Sequence, residues 1–235
     1  MSLYAISDLH LSLGADKSMD IFAGWGNYVQ KLERNWRDIV RGEDTVVLPG
    51  DISWAMKLED TLADFTFLQG LPGRKILLKG NHDLWWNSRA KMDAFFAAHG
   101  LNSFMILHND AVPACGIGVC GTRGWFAEET AQDRKLLLRE AGRLNTSILA
   151  AKKTGLPPVV FLHYPPLCAG ARCDELMDVL HAQGITRCYY GHIHGSAARR
   201  AVCGLREGIE FTLVSCDAIK FTPMPVTPAQ ASGIY

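Results

Sequence analysis

The sequence has no surplus of either charge: 24 Lys and Arg are balanced by 24 Asp and Glu, beside eight His. A dedicated nucleic-acid binder normally carries a basic excess on its binding face, so no extended nucleic-acid footprint is expected. The seven Cys include no Cys-x-x-Cys pair, and a chain of 235 residues can bury a core without disulfides. They read as free, mostly buried thiols in a reducing compartment. No apolar run is long enough to span a membrane. The longest uncharged stretch, residues 154–171, is broken by Pro157, Pro158, Pro165 and Pro166. No basic and apolar leader opens the chain, because residues 3–6 already read as a strand. A cytoplasmic location is therefore the expectation. Repeats, low-complexity tracts and linkers are also missing, and one domain over residues 1–235 is the simplest organisation. With 48% hydrophobic residues and six Trp, disorder is excluded.

What is present is alternation. Residues 3–7, 45–48, 75–79, 159–162 and 187–190 read as short buried strands. Between them, residues 28–40, 58–68, 88–99, 128–153 and 174–182 have helical patterning. In the fourth of these, Leu137, Ala141, Leu144, Ile148 and Ala151 form an apolar stripe, and Gly155 with two prolines ends the helix. Residues 104–107 and 117–120 are strand-like with little helix between them. Residues 198–203 and 209–214 suggest a hairpin joined through residues 204–208. Beyond Lys220 there is no charged residue and there are three prolines, so residues 221–235 read as an extended strap. The pattern fits a mixed α/β domain with a second sheet or an extension of the first.

The polar residues that follow these strands are unusual as a set. Asp8 and His10 follow the first, Gly50 and Asp51 the second, and Gly80, Asn81, His82 and Asp83 the third. His163 follows the fourth, and Gly191, His192, His194 and Gly195 follow the fifth. Open α/β sheets bind ligands at the carboxyl ends of their strands, and five of the eight His fall there. Asp8 and His10, like His192 and His194, are two residues apart and share a face in extended backbone. Asp oxygen, Asn oxygen and imidazole nitrogen without thiolate suit Mn, Fe, Zn or similar ions, rather than Ca or a structural zinc. Each piece alone has a plainer reading. A lone Asp at a strand end caps a helix or closes a turn, Gly-Asn-His-Asp is a tight turn, and His163 is a structural histidine.

In order, these residues resemble the calcineurin-like metallophosphoesterases, whose motifs run D-x-H, G-D, G-N-H-D/E, H and G-H-x-H. All five are present between residues 8 and 194. The resemblance implies a four-layer α/β/β/α sandwich of two mixed sheets, with two divalent transition-metal ions at their shared edge. By that resemblance Asp8, His10, Asp51 and His194 hold one ion, and Asp51, Asn81, His163 and His192 the other, with Asp51 bridging. It further implies hydrolysis of phosphate esters by in-line attack of a metal-bridging hydroxide, with His82 assisting the leaving group. Two divalent ions against the carboxylates of Asp8 and Asp51 would leave this cleft at about +2, enough to attract phosphate without a basic surface.

The phosphoprotein phosphatases of this superfamily continue G-D as G-D-x-x-D-R-G. Here Ile52, Ser53, Trp54 and Ala55 follow Asp51, which disfavours that branch. Arg123, in Gly-Thr-Arg-Gly, is a candidate for gripping substrate phosphate, or else an ordinary turn arginine. Trp54, Trp85, Trp86 and Trp125 could wall a cleft for an apolar leaving group, or serve as core and rim residues. The Asp8-Leu9-His10-Leu11 opening is similar to that of UDP-diacylglucosamine hydrolases, over too short a stretch to transfer their substrate. His99, His108 and His181 match no motif. The leading expectation is a phosphoesterase acting on a small or medium phosphorylated substrate. Alternatives are a nucleotide or nucleic-acid phosphodiesterase or pyrophosphohydrolase, and a non-catalytic scaffold of the same fold.

Overall fold

A computed structural model describes residues 1–125, 130–168 and 170–226. The first part of the chain alternates strand and helix: β1 (Leu3–Ala5), α1 (Tyr28–Ile39), β2 (Thr45–Pro49), α2 (Leu62–Gln69), β3 (Arg74–Leu78), α3 (Arg89–Ala98) and β4 (Phe104–Ile106). Then come β5 (Val112–Ala114), β6 (Ile117–Thr122), α4 (Ala131–Lys153), β7 (Pro158–Leu162), and the small pair β8 (Leu167–Cys168) and β9 (Ala171–Arg172). The last elements are α5 (Asp174–Ala182), β10 (Arg187–Tyr190), β11 (Gly204–Arg206), β12 (Ile209–Leu213) and β13 (Met224–Pro225).

Two sheets result, in the orders β13-β1-β2-β3-β4 and β11-β12-β10-β7-β6-β5. Each has a parallel centre, with antiparallel strands at β13 in the first sheet and at both edges, β11 and β5, in the second. Period-two burial explains the layering. In β2, Val46 and Leu48 face a core under α1, α2 and α3, while Val47 faces the other sheet. In β7, Val159 and Phe161 face the first sheet, while Val160 and Leu162 pack under α4 and α5. The order is therefore α/β/β/α, with a core in each of the three gaps. The α4 stripe from Leu137 to Ala151 is buried as its spacing dictates, and a Thr130–Asp133 capping box starts the helix. Where the expected helix begins, residues 128 and 129 lie outside the described residues, as do residues 227–235 of the tail.

The expected hairpin at 198–203 and 209–214 is shifted. Residues Gly195–Arg200 form a 3-10 helix, and the first arm is β11. Arg206 pairs with Ile209 across a two-residue turn in which Glu207 and Gly208 both have positive φ. That turn type matches the natural strand twist, so it fixes the register. Cys115 and Gly116 do the same between β5 and β6, and β5 itself had no sequence signal. The sheets meet where Ser7, beyond β1, bridges Ser215, beyond β12; its N–H donates to the Val214 carbonyl at 2.8 Å.

Candidate metal centre

That junction gathers the carboxyl ends of both sheets. Asp8, His10 and His194 each place a donor atom within 4.8 Å of the others, and Asp51, His163 and His192 form a second such group. Asn81 joins the second: its Oδ1 lies 2.6 Å from His163 Nε2 and 3.0 Å from His192 Nδ1. All seven expected ligands thus converge, three strands of one sheet facing two of the other.

The hydrogen bonds select which oxygens remain to bind an ion. Asp8 Oδ2 accepts from the hydroxyls of Ser7 and Ser215 and shares the His192 N–H with Oδ1, which stands 3.2 Å from His194 Nε2. Asp51 Oδ1 accepts the His82 N–H at 2.8 Å. Its Oδ2 then stands between the groups, 3.7 Å from His10 Nε2 and 3.5 Å from His163 Nε2. Asp8, His10, Asp51 and His192 all have φ in the left-handed region, a backbone cost typical of functional sites. A Cβ on Gly80 would strike the Asp51 carboxylate, and one on Gly191 would strike Ser7 and Asp8. Only glycine allows these approaches.

The electrostatics are those of a site built for cations. Burial and the neighbouring charges of Asp8 and Asp83 push Asp51 up to about 9. Burial opposes ionisation of Asp8 as well, but the hydrogen bond and charge of His194, with His163 and His10, hold its carboxyl well below the usual range. Burial lowers His10 and His163 to about 3, and lowers His192, so these rings are neutral and ready to ligate. His10 Nδ1 is buried without a hydrogen-bond partner. Oxygen and imidazole donors in two adjoining groups, with Asp51 strained toward protonation, fit two divalent ions.

Other residues support this set. Asp83 is fully buried and accepts the backbone N–H groups of Asp51, Ile52, Ser53 and Gly80, and the Trp85 indole N–H. It fastens two ligand loops together. Burial raises its pKa to about 6 despite those donors. Tyr28 donates its hydroxyl to the His10 carbonyl at 2.9 Å. His82 is half-buried, its ring 4.5 Å from Trp54, which stacks on His10 at 4.7 Å. The four tryptophans divide: Trp54 flanks the centre, Trp85 is core, and Trp86 and Trp125 lie toward Arg123. Arg123 stands outside the ligand set, its guanidinium 5.0 Å over the Trp125 ring.

Sequence reading missed two residues. Asp217 accepts from His194 Nδ1 at 2.8 Å and from the Gly195 N–H at 2.8 Å, and with Asp8 it overcomes burial to raise His194 to about 10. It follows β12 just as the ligands follow their strands, which was the available signal. Trp25 is buried with its ring 5.8 Å from His194 and 6.1 Å from His10, but nothing in the local sequence marks it.

Comparison with known proteins agrees with this geometry. The pattern of the calcineurin-like phosphoesterases matches residues 1–196. A protein of unknown function from Aquifex aeolicus shares the fold at 17% identity and a TM-score of 0.51, over 95% of each chain. Phosphopantetheinyl hydrolase from Mycobacterium tuberculosis does so at 15% identity and a TM-score of 0.51, over 99% of this chain and 98% of that one. No curated protein matches the chain. Among the described residues, no helix is long and apolar enough to cross a membrane. A family match spanning the sequence from its first strand to its last ligand motif places this chain among the calcineurin-like phosphoesterases.

Proposed function

We propose that the protein hydrolyses phosphate esters at this edge, with Asp8, His10 and His194 holding one divalent ion and Asn81, His163 and His192 the other. Asp51 Oδ2 serves both. The observation that carries this reading is the place of that one oxygen, between His10 and His163. Bound there, two divalent ions would supply Lewis acidity, neutralise phosphoryl charge and lower the pKa of water.

The chain's own residues do the rest. Asp83 keeps the Asp51 and Gly80 loops in fixed register, so the ligand atoms are placed before substrate arrives. His82 is not needed as a ligand. Burial lowers its pKa, and a phosphate entering beside it would raise it again, so its ring can give a proton to the leaving oxygen. Trp54, packed against both His82 and His10, holds that ring in place. Arg123 is the candidate grip on substrate phosphate, taking the part that the missing phosphatase arginine would play.

The test is a panel of monoesters, diesters, nucleotides and a phosphopantetheinyl ester, assayed with added Mn beside elemental analysis. Turnover on at least one member, with metal bound, is expected. No turnover and no metal would overturn the reading in favour of a scaffold.

A further inference from the structure

Next to the centre lies a cavity of about 250 Å³ that the ligand set does not use. Lys79, after β3, and Arg123, after β6, form its inner wall, and Arg139 and Arg143 reach it from α4. Four cationic side chains thus face one carboxylate, Glu140. Glu140 is buried and fully engaged: it accepts the Thr122 hydroxyl at 2.5 Å and Arg143 at 2.6 Å. It therefore fixes Arg143 in place, and among the described residues no second carboxylate lines the wall beside Lys79, Arg123 and Arg139. In a chain with no net charge, such a concentration calls for an anion.

Its position sets the ligand. Lys79 precedes Asn81 by two residues, and the Arg123 carbonyl accepts the N–H of Tyr164, the neighbour of His163, at 2.9 Å. The cavity therefore begins on the strand of Asn81 in the first sheet and one strand from that of His163 in the second, roughly 5–10 Å from where the scissile phosphorus would lie at ordinary strand spacing. We infer that this cleft binds a second phosphoryl group of the substrate, and that the substrate class is a phosphate ester bearing another phosphate or diphosphate at that distance. Guanidinium forks and an ammonium suit tetrahedral phosphoryl oxygens. The inference rests on the phosphoesterase reading for its substrate, but not for the anion site itself.

The experiment has two arms. Chelator-stripped protein is titrated calorimetrically with inorganic pyrophosphate, as wild type, Arg139→Ser and Lys79→Met. Arg139 is exposed, so its loss should leave the fold intact, and thermal melting checks both variants. Stripped wild type should bind, and each variant should bind about tenfold more weakly, as for loss of one charged hydrogen bond. In the second arm, metal-loaded proteins hydrolyse a nucleoside 3′,5′-bisphosphate, a sugar bisphosphate and p-nitrophenyl phosphate. The ratio of kcat/KM on a bisphosphate to that on p-nitrophenyl phosphate should fall about tenfold in both variants. Which bisphosphate is preferred distinguishes a nucleotide from a sugar source. Unchanged pyrophosphate affinity in both folded variants, or an unchanged ratio, would overturn the inference. Absence of all hydrolysis with Arg139-dependent binding intact would sink the phosphoesterase reading and leave the anion site standing.

Discussion

At the scale of single residues, the proposed metal ligands are held by residues outside the ligand set. Asp217 aims His194 through Nδ1, so Asp217→Asn should keep the fold yet weaken metal binding by roughly 10–100-fold. Titration against a coloured chelator reads this directly, and unchanged affinity would remove Asp217 from the account. His82 is proposed to act on the other side, at the leaving group. His82→Ala should keep both ions while kcat falls by about 10²–10⁴, the range of a lost general acid. Equal turnover in the variant would cancel that role. That these seven residues would converge was legible in the sequence because each follows a strand and the motifs come in order. Asp217 obeys the same rule, but it stands four residues beyond β12 and outside the five motifs.

At the scale of elements, period-two burial made the central strands legible, and the stripe on α4 fixed its inward face. That stripe is testable: Leu144 is fully buried, so Leu144→Ala should cost about 2–5 kcal/mol in urea unfolding. A loss below about 1 kcal/mol would mean that the helix packs less tightly than described. The two edge hairpins were not legible in register. Their turns use Cys115 and Glu207 in left-handed backbone, where Asn or Asp would have been the recognisable signal. β3 opens beside a cost of its own, because Lys75 is fully buried, its ammonium donating to the Leu71 carbonyl at 2.5 Å. Burial, and then the charge of Arg37, lower its pKa from 10.5 to about 8. The folded chain therefore sheds this proton before the unfolded chain does. The penalty is complete below about pH 8 and is relieved as pH rises toward 10.5. The stability of Lys75→Met relative to wild type should accordingly fall by up to about 3 kcal/mol between about pH 7 and pH 10. A difference that does not vary with pH would contradict this.

At the scale of the whole molecule, the sandwich exists in functional terms to bring two sheets to one edge. Asp8, His10, Asp51 and Asn81 come from the first, and His163, His192 and His194 from the second. The balanced charge of the chain conceals two local departures: a cluster of buried carboxylates, and a neighbouring cleft lined by Lys79, Arg123, Arg139 and Arg143. Composition could not show either, since each depends on residues brought together by folding. The central claim is that one oxygen of Asp51 serves both ions. Asp51→Asn keeps the oxygen that accepts the His82 N–H, so the loop should survive the change. Elemental analysis of the purified proteins tests the claim most directly. About two ions per wild-type chain are expected and fewer than one in Asp51→Asn, with both positions emptied together. A variant still carrying two tightly held ions would contradict it.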